Sequence, residues 1–363
     1  MKDLRSSKPV AIWLLIGVGM LIVQIVLGGI TRLTGSGLSI TEWDVITGTL
    51  PPLNEQSWLE EFKKYQQTSQ YKILNTDFKL VNFKFIFFWE WLHRFWARLI
   101  GVVFLIPFII FLVQRRFRSD MIGPLIILFL LGALQGAVGW IMVKSGLDGD
   151  AIYVKPTRLA LHFIFAMGLL CYTFWFALKL LVKENDIVHA SSLRKFTVWI
   201  IALLALQLIF GALMAGHKAA AAAPTWPTIN GSFIPSYVFN RPEGFRSLIE
   251  NPVVIHFVHR MLAYLLVVII ILWSVKAFTK KASALFAQIR ILPLVFVLLQ
   301  LVLGIFTVLT SVNIRATRWN TFEWMAQLHQ VVALLLLLSL IFVLFLQRKR
   351  FVKPINSIDA PVI

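Results

Sequence analysis

Four histidines recur in similar surroundings along an otherwise apolar chain, and they are the residues with the clearest chemistry. They are His93, His162, His259 and His329. Each lies inside an apolar run, a few helical turns from the same end of the predicted bundle. A single histidine in such a helix is typically a packed, hydrogen-bonded residue. Four at one predicted depth favour metal or haem ligation, because ionisable side chains are costly in a membrane and mark functional sites there.

The residues around the histidines limit which metal group they can bind. The chain has one cysteine, Cys171, which excludes an internal disulfide, a thiolate zinc cluster and an iron–sulfur centre. The Glu-x-x-His motif of di-iron sites occurs only once, at Glu90 and His93. Two neutral imidazoles on facing helices suit an iron porphyrin with two axial ligands. Two such sites are expected: His93 with His162, and His259 with His329.

The two predicted sites differ at one position. Glu90 precedes His93 by three residues and shares its helix face, whereas His256 stands three residues before His259. A carboxylate beside a porphyrin can exchange protons or hold a charged intermediate. The sequence therefore predicts chemistry at the first site and electron handling at the second. A snorkelling or ion-paired Glu90 is the alternative.

An arginine directly follows the first histidine of each predicted pair. Arg94 follows His93, and Arg260 follows His259. Guanidinium groups at this depth can bind haem propionates in a bidentate manner. Lipid headgroups and loop carboxylates are the alternative partners, so the sequence leaves the role of both arginines open.

The elements that position these residues are membrane-spanning helices. The 363 residues are 58% hydrophobic and only 14% charged, which excludes an ordinary soluble domain. A span needs roughly 20 apolar residues. Eight segments meet this length, at about residues 10–30, 85–113, 121–143, 157–182, 196–215, 252–275, 291–311 and 322–346. The sequence thus predicts an all-α polytopic membrane protein.

The distribution of positive charge indicates how the chain is oriented in the membrane. The chain has a formal net charge of +18, and its Lys and Arg residues concentrate in the tails and in the short connections after every second span. Because cytoplasmic loops are enriched in these residues, both termini are expected in the cytoplasm and the longer loops outside. Nucleic acid is not expected as a partner, since the charges flank apolar spans.

Internal repeats indicate a tandem duplication. Four alternate spans contain Gln-x3-Gly, with glutamine at positions 24, 135, 207 and 300. We interpret these as packing residues, in which the glutamine side-chain amide forms a hydrogen bond to the neighbouring helix. Two outer loops share a longer motif, beginning at Trp43 and Trp226. The predicted halves are residues 1–183 and 184–363, each a four-helix bundle, related by a pseudo-two-fold axis along the membrane normal.

Several motifs together give a specific resemblance over nearly the whole chain. They are Gly28-Gly29-x-Thr31-Arg32-Leu33-Thr34-Gly35-Ser36-Gly37-Leu38-Ser39, Glu90-Trp91-Leu92-His93-Arg94, Thr225-Trp226-Pro227, His259-Arg260 and His329-Gln330. In these motifs the chain resembles the haem A synthase family. Without cysteines in its outer loops, it is similar to the branch found in mitochondria and many Gram-negative bacteria.

The resemblance implies a division of labour between the halves. The C-terminal pair, His259 and His329 with Arg260, would bind a haem b cofactor. The N-terminal pair, His93 and His162 with Arg94, would receive the substrate haem O. Glu90 matches the essential acidic position of the family, so it is the expected catalytic residue.

The implied reaction oxidises the C8 methyl of haem O to a formyl group by successive hydroxylations, giving haem A for terminal oxidases. The implied setting is the inner (plasma) membrane, with haem O synthase and an unidentified electron-transfer protein as partners, and a homo-oligomer left open. Two other functions stay open on the residues alone. One is a non-catalytic di-haem cytochrome b that carries electrons, and the other is a transporter built from parallel repeats.

Overall fold

The protein folds as a bundle of long helices joined by short ones. The computed structural model describes residues 2–42, 49–239, 244–313 and 319–348, with side chains from residue 8 onward. The α-helices of these ranges are α1 (Lys2–Leu33), α2 (Glu55–Gln66), α3 (Ser69–Leu74), α4 (Leu80–Val113), α5 (Ser119–Leu147), α6 (Pro156–Leu181), α7 (Ser191–Gly216), α8 (Ala219–Ala222), α9 (Ser247–Glu250), α10 (Pro252–Phe278), α11 (Ala284–Ile289), α12 (Leu292–Thr310) and α13 (Thr321–Leu346).

The predicted spans are confirmed. Eight helical segments of the described residues are long and apolar enough to cross a membrane, and each overlaps one predicted span over nearly all of its length. Several helices are longer than their apolar run: α1 begins at Lys2 and α4 at Leu80. The polar residues next to each apolar run are also helical, and a prediction based on the length of the apolar run does not include them. Beyond one isolated bridge between Ile229 and Ser232, the described residues form no β-structure, which agrees with the all-α prediction.

Four spans form the centre of the bundle. Helix α1 packs against α6 and α13, and α7 packs against α6 and α13. In the most apolar 18-residue stretch of each span, the share of buried residues is 56% in α13 and 44% in α1. It is 0% in α4 and 11% in α5. The peripheral helices α4, α5, α10 and α12 therefore present apolar side chains outward, as expected for a surface in contact with lipid. The pseudo-two-fold axis between the halves stays a prediction.

The first and last spans meet in a polar seam. The Gln330 Nε2 donates to the Ile25 carbonyl at 2.8 Å, and the Gln327 Nε2 to the Val26 carbonyl at 3.4 Å. Gly29 gives these amides their space, because a Cβ there would lie 2.5 Å from the Gln327 Oε1 and 2.6 Å from the Gln330 Oε1. Helices α1 and α13 thus pack closely at Gly29 and are joined by these two hydrogen bonds.

Helices α2 and α3 cover the histidine-bearing end of α4. The α2 side chains Phe62 and Tyr65 pack on Phe83 of α4. Burial raises the pKa of Tyr65 to about 12. Its hydroxyl donates to the Gln70 Oε1 at 3.0 Å and accepts from the Asn75 Nδ2 at 2.7 Å. This network holds α3 in place over the bundle.

Some residues named from the sequence lie outside the described ranges. They include the start of the first loop motif at Trp43 and the C-terminal residues from position 349 onward.

Candidate functional site

One continuous cavity of about 1070 Å³ contains all four predicted histidines. Every one of the eight spans contributes to its wall. The two sites predicted from sequence are therefore parts of one connected space. Its lining is mainly apolar, but it also includes the imidazoles, the motif glutamines and charged side chains such as Glu90, Arg94 and Arg260.

Each histidine faces the glutamine of a Gln-x3-Gly motif on the neighbouring span. The amide Nε2 lies 3.0–3.4 Å from an imidazole nitrogen in all four pairs. In the first two pairs it also donates to the backbone carbonyl of the same histidine, at 3.1 and 3.2 Å. The predicted bond across the helix seam is confirmed, and its partner is the histidine. The pairs are Gln24 with His93, Gln135 with His162, Gln207 with His259, and Gln300 with His329.

The glycine of each motif makes room for the same imidazole. A Cβ at Gly28 would lie 3.0 Å from the His93 Cε1, and one at Gly139 would lie 2.8 Å from the His162 Cε1. The corresponding distance is 3.3 Å at Gly211 and 3.0 Å at Gly304. Real Cβ contacts are rarely so short. Each ring therefore lies directly on the backbone of the neighbouring helix, which fixes its position.

The spacing of the second pair fits two imidazoles that bind one metal ion. The ring centroids of His259 and His329 are 6.4 Å apart, with an interplanar angle of 69°. Two imidazoles that share one ion at about 2 Å from each nitrogen have centroids roughly 6 Å apart. This spacing suits a metal bound between them.

Several buried polar atoms in this layer have no hydrogen-bond partner. They are the Nδ1 atoms of His93, His259 and His329 and the Oε1 atoms of the four motif glutamines. Buried polar groups are normally paired, so such a cluster indicates a place for an additional group. The described residues contain no group of three or more His, Cys, Asp or Glu side chains that could hold a bare metal ion. Paired imidazoles would fit a porphyrin iron, because the porphyrin would supply the remaining nitrogen ligands.

Glu90 is buried in the wall of the first part of the cavity and is only 3% exposed. Its Oε2 accepts hydrogen bonds from the Ser39 backbone N–H and hydroxyl, both at 2.7 Å, and from the Ile40 N–H at 3.0 Å. Its Oε1 accepts from the Arg94 Nη2 at 2.6 Å. Glu90 is thus buried and ion-paired with Arg94, and its catalytic role stays a prediction.

Arg94 connects this carboxylate to the first outer loop. Its guanidinium donates to the Ile40 carbonyl at 3.1 Å and the Glu42 carbonyl at 3.2 Å. Sequence reasoning named propionates, headgroups and loop carboxylates as partners, and missed loop carbonyls. Pairing with a propionate stays a prediction.

The second half repeats this arrangement with one change. Arg260 donates to the Pro227 carbonyl at 2.9 Å, the Thr228 carbonyl at 3.1 Å and the Thr225 carbonyl at 2.9 Å. In place of a carboxylate, its Nη2 lies 3.1 Å from the His256 Nε2, and His256 is only 1% exposed. The two halves therefore share the contact between arginine and loop and differ in the residue beside it.

Arg32 is a cavity residue that sequence reasoning recorded only as part of a motif. Its guanidinium donates to the Ala215 carbonyl and so joins α1 to α7. A charged residue in the last turn of an apolar helix is the signal that could have identified it.

Comparison with known proteins agrees with this architecture. Residues 11–341 match the model of the COX15-CtaA family, described as cytochrome oxidase assembly protein. A heme A synthase of Flavobacterium johnsoniae is 39% identical over 346 residues, covering 94% of this chain and 98% of the relative. A heme A synthase of Brucella suis is 39% identical over 307 residues, or 85% of each chain. By the extent of these matches, this chain belongs to the COX15-CtaA family of cytochrome oxidase assembly proteins.

Proposed function

We propose that this chain is a haem A synthase, an oxidoreductase that converts the C8 methyl of haem O to a formyl group. The relatives named heme A synthase cover nearly all of the chain. The cavity supports the proposal, because it presents four imidazoles at paired positions within an apolar membrane bundle. Its product would supply haem A to terminal oxidases.

The second pair of histidines fits a resident haem b. The 6.4 Å separation of the His259 and His329 rings and their unpartnered Nδ1 atoms support this assignment. Bound there, a haem b would supply one-electron transfer. Gln207 and Gln300 orient the two imidazoles from the neighbouring spans, and Arg260 fixes the loop above them.

The first pair would bind the substrate haem O. His93 and His162 position the substrate, and Gln24 and Gln135 orient the imidazoles. Glu90 stands in the wall of this pocket, where its carboxylate can stabilise positive charge that develops on the carbon being oxidised. Ser39 and Arg94 hold that carboxylate in one position.

One observation carries the assignment of chemistry to the first pocket. In two halves that share the contact between arginine and outer loop, the residue that contacts this arginine is Glu90 in one half and His256 in the other. A simple electron carrier would have no need for this difference. The asymmetry therefore favours an enzyme over a di-haem cytochrome b.

The proposed setting completes this function. The protein would lie in the inner membrane with both termini in the cytoplasm, and the histidine layer would lie near the outer face. It would receive haem O from haem O synthase and exchange electrons with a partner protein. The concentration of Lys and Arg in the tails and alternate connections supports this orientation.

A haem analysis of the purified full-length protein tests the proposal. The protein is produced with and without a supply of haem O, and the extracted haems are identified by mass and optical spectrum. We expect protohaem in both preparations, and haem A or a hydroxylated precursor only when haem O is supplied. Protohaem alone under both conditions would favour the electron carrier, and a colourless protein would favour the transporter.

A further inference from the structure

The first half of the bundle has an opening in its side that the second half lacks. Helices α4 and α5 scarcely approach each other, whereas the corresponding helices α10 and α12 pack together. The opening, which we call the α4–α5 slit, is bordered by Ala97 and Gly101 on α4 and by Gly132 and Gly136 on α5. All four residues are exposed, and all four line the histidine cavity. Because α4 and α5 scarcely approach each other beside these residues, the cavity wall facing the lipid is open between the two helices.

Glycines keep the slit open. A Cβ at Gly101, Gly132 or Gly136 would meet no atom within 4 Å, so the space beside each is empty. At the cytoplasmic end, the slit is closed by the rings of Phe104 and Phe129, whose centroids are 6.3 Å apart. It thus extends about two helical turns from the histidine layer into the hydrocarbon region.

The second half has branched side chains at three of the four corresponding positions and keeps an alanine, Ala263, in place of Ala97. Counting from the shared His and Gln-x3-Gly positions, Gly101 corresponds to Val267, Gly132 to Val297 and Gly136 to Leu301. Val297 is only 3% exposed, and Val267 and Leu301 are half-buried. The two halves therefore differ in side access to an otherwise similar cavity.

We propose that the α4–α5 slit binds the isoprenoid tail of haem O and is the passage by which substrate enters from the bilayer and product returns to it. This inference rests on the proposed function. A haem with a long hydrocarbon tail partitions into the membrane, and its tail needs an apolar exit from the pocket. A permanently held, tailless haem b needs none, which agrees with the closed second half.

The chemistry of the cavity behind the slit supports a ligand at this place. The His93 Nδ1 and the Gln135 Oε1 are buried there without a partner. The porphyrin would occupy this polar layer while its tail lies along the glycines. Side-chain volume at Gly132 and Gly136 would thus decide whether a tailed haem fits.

The test replaces glycines of the slit by the residue types that the second half has at the corresponding positions. The Gly132→Val/Gly136→Leu protein, reconstituted in lipid nanodiscs, is titrated with haem O, and the spectrum of newly bound haem is recorded. We expect apparent affinity for haem O to fall about tenfold or more, because the added methyl groups occupy the space of the tail. The haem of the second pocket should stay at the wild-type level. Protohaem, which has no such tail, should lose less affinity for the first pocket.

Gly123→Leu is the matched control, because Gly123 lies on the same helix, has open space beside it and does not line the cavity. It should bind haem O as the wild type does. Wild-type haem O affinity in the double variant would overturn the proposal. If the double variant fails to retain its second haem, Gly136→Ala is compared with Gly123→Ala. Weaker haem O binding in the first supports the slit, and equal binding refutes it.

The titration also separates the slit from the proposed function. It measures binding rather than turnover, so the slit is tested even if the wild type binds haem O without forming a formyl product. That result would contradict the proposed function and leave the subsite intact. If the wild type and the double variant bind haem O equally well and both form product, only the proposed role of the slit is contradicted.

Discussion

The hydroxyl of Ser39 lies 2.7 Å from the Glu90 carboxylate, in a buried contact between the glycine-rich segment after α1 and the first third of α4. The same oxygen accepts the Ser39 and Ile40 backbone N–H groups. One carboxylate thus both borders the first pocket and holds the loop above it. Substitutions that change its charge, its position or its loop contacts separately can distinguish these roles.

Removing only the charge of Glu90 is the first test. Glu90→Gln keeps the side-chain length and can still accept hydrogen bonds through its amide oxygen. We expect this protein to retain the haem of the second pocket and to lose haem A formation. Mass analysis of extracted haems after haem O supply measures both. Full product formation in Glu90→Gln and Glu90→Ala would remove the reason to assign chemistry to the first half.

Removing the Ser39 hydroxyl tests positioning. Ser39→Ala deletes one donor to Glu90 and leaves the backbone N–H bonds in place. A hydrogen bond to a charged group contributes about 1.5–3 kcal/mol, so turnover should fall by roughly tenfold or more. The second-pocket spectrum should not change. Recovery of turnover in Ser39→Thr, which restores a hydroxyl, would support positioning, whereas unchanged turnover in Ser39→Ala would contradict it.

Removing either imidazole of the second pair tests the cofactor assignment. His259→Ala and His329→Ala should each lose the tightly bound haem, because one axial ligand is missing and Gln207 or Gln300 is left facing an empty place. Optical spectra and haem-to-protein ratios of the purified proteins provide the measurement. His189→Ala, in a connection on the opposite side of the bundle, is the control and should retain its haem. An unchanged haem content in either variant would refute the assignment.

The motif glutamines can be tested with two matched variants, one in each pocket. Gln135→Leu removes the amide beside His162, and Gln300→Leu removes the equivalent amide beside His329. One lost hydrogen bond contributes about 1 kcal/mol, which corresponds to several-fold weaker binding. Gln135→Leu should weaken haem O binding only, and Gln300→Leu should alter the second-pocket haem only. Equal effects of both variants on both pockets would mean that the glutamines act through general packing.

The spans could be predicted from sequence because membrane insertion depends on local apolar length. The four histidines could be identified for a related reason, since a titratable residue in an apolar run is conspicuous by itself. The ends of α1 and α4 were missed because the helices continue beyond the apolar residues that define a span.

The contacts that position the site could not be predicted, because they join distant parts of the chain. The partner of Gln24 is 69 residues away, and the Arg260 guanidinium binds carbonyls 32–35 residues earlier. The repeats showed that Gln-x3-Gly mattered but not what it touched. Likewise, the glycines of α5 gain meaning only once α4 and α5 are seen to stand apart.

The seam between Gly29 and the glutamines of α13 has a consequence for biosynthesis. Helix α1 obtains these amide partners from α13, which is synthesised after the other seven spans. Until that final segment is inserted, α1 has an uncovered notch at Gly29, and the wall of the histidine cavity is incomplete. Porphyrin loading should therefore follow insertion of α13 rather than accompany synthesis of the earlier spans.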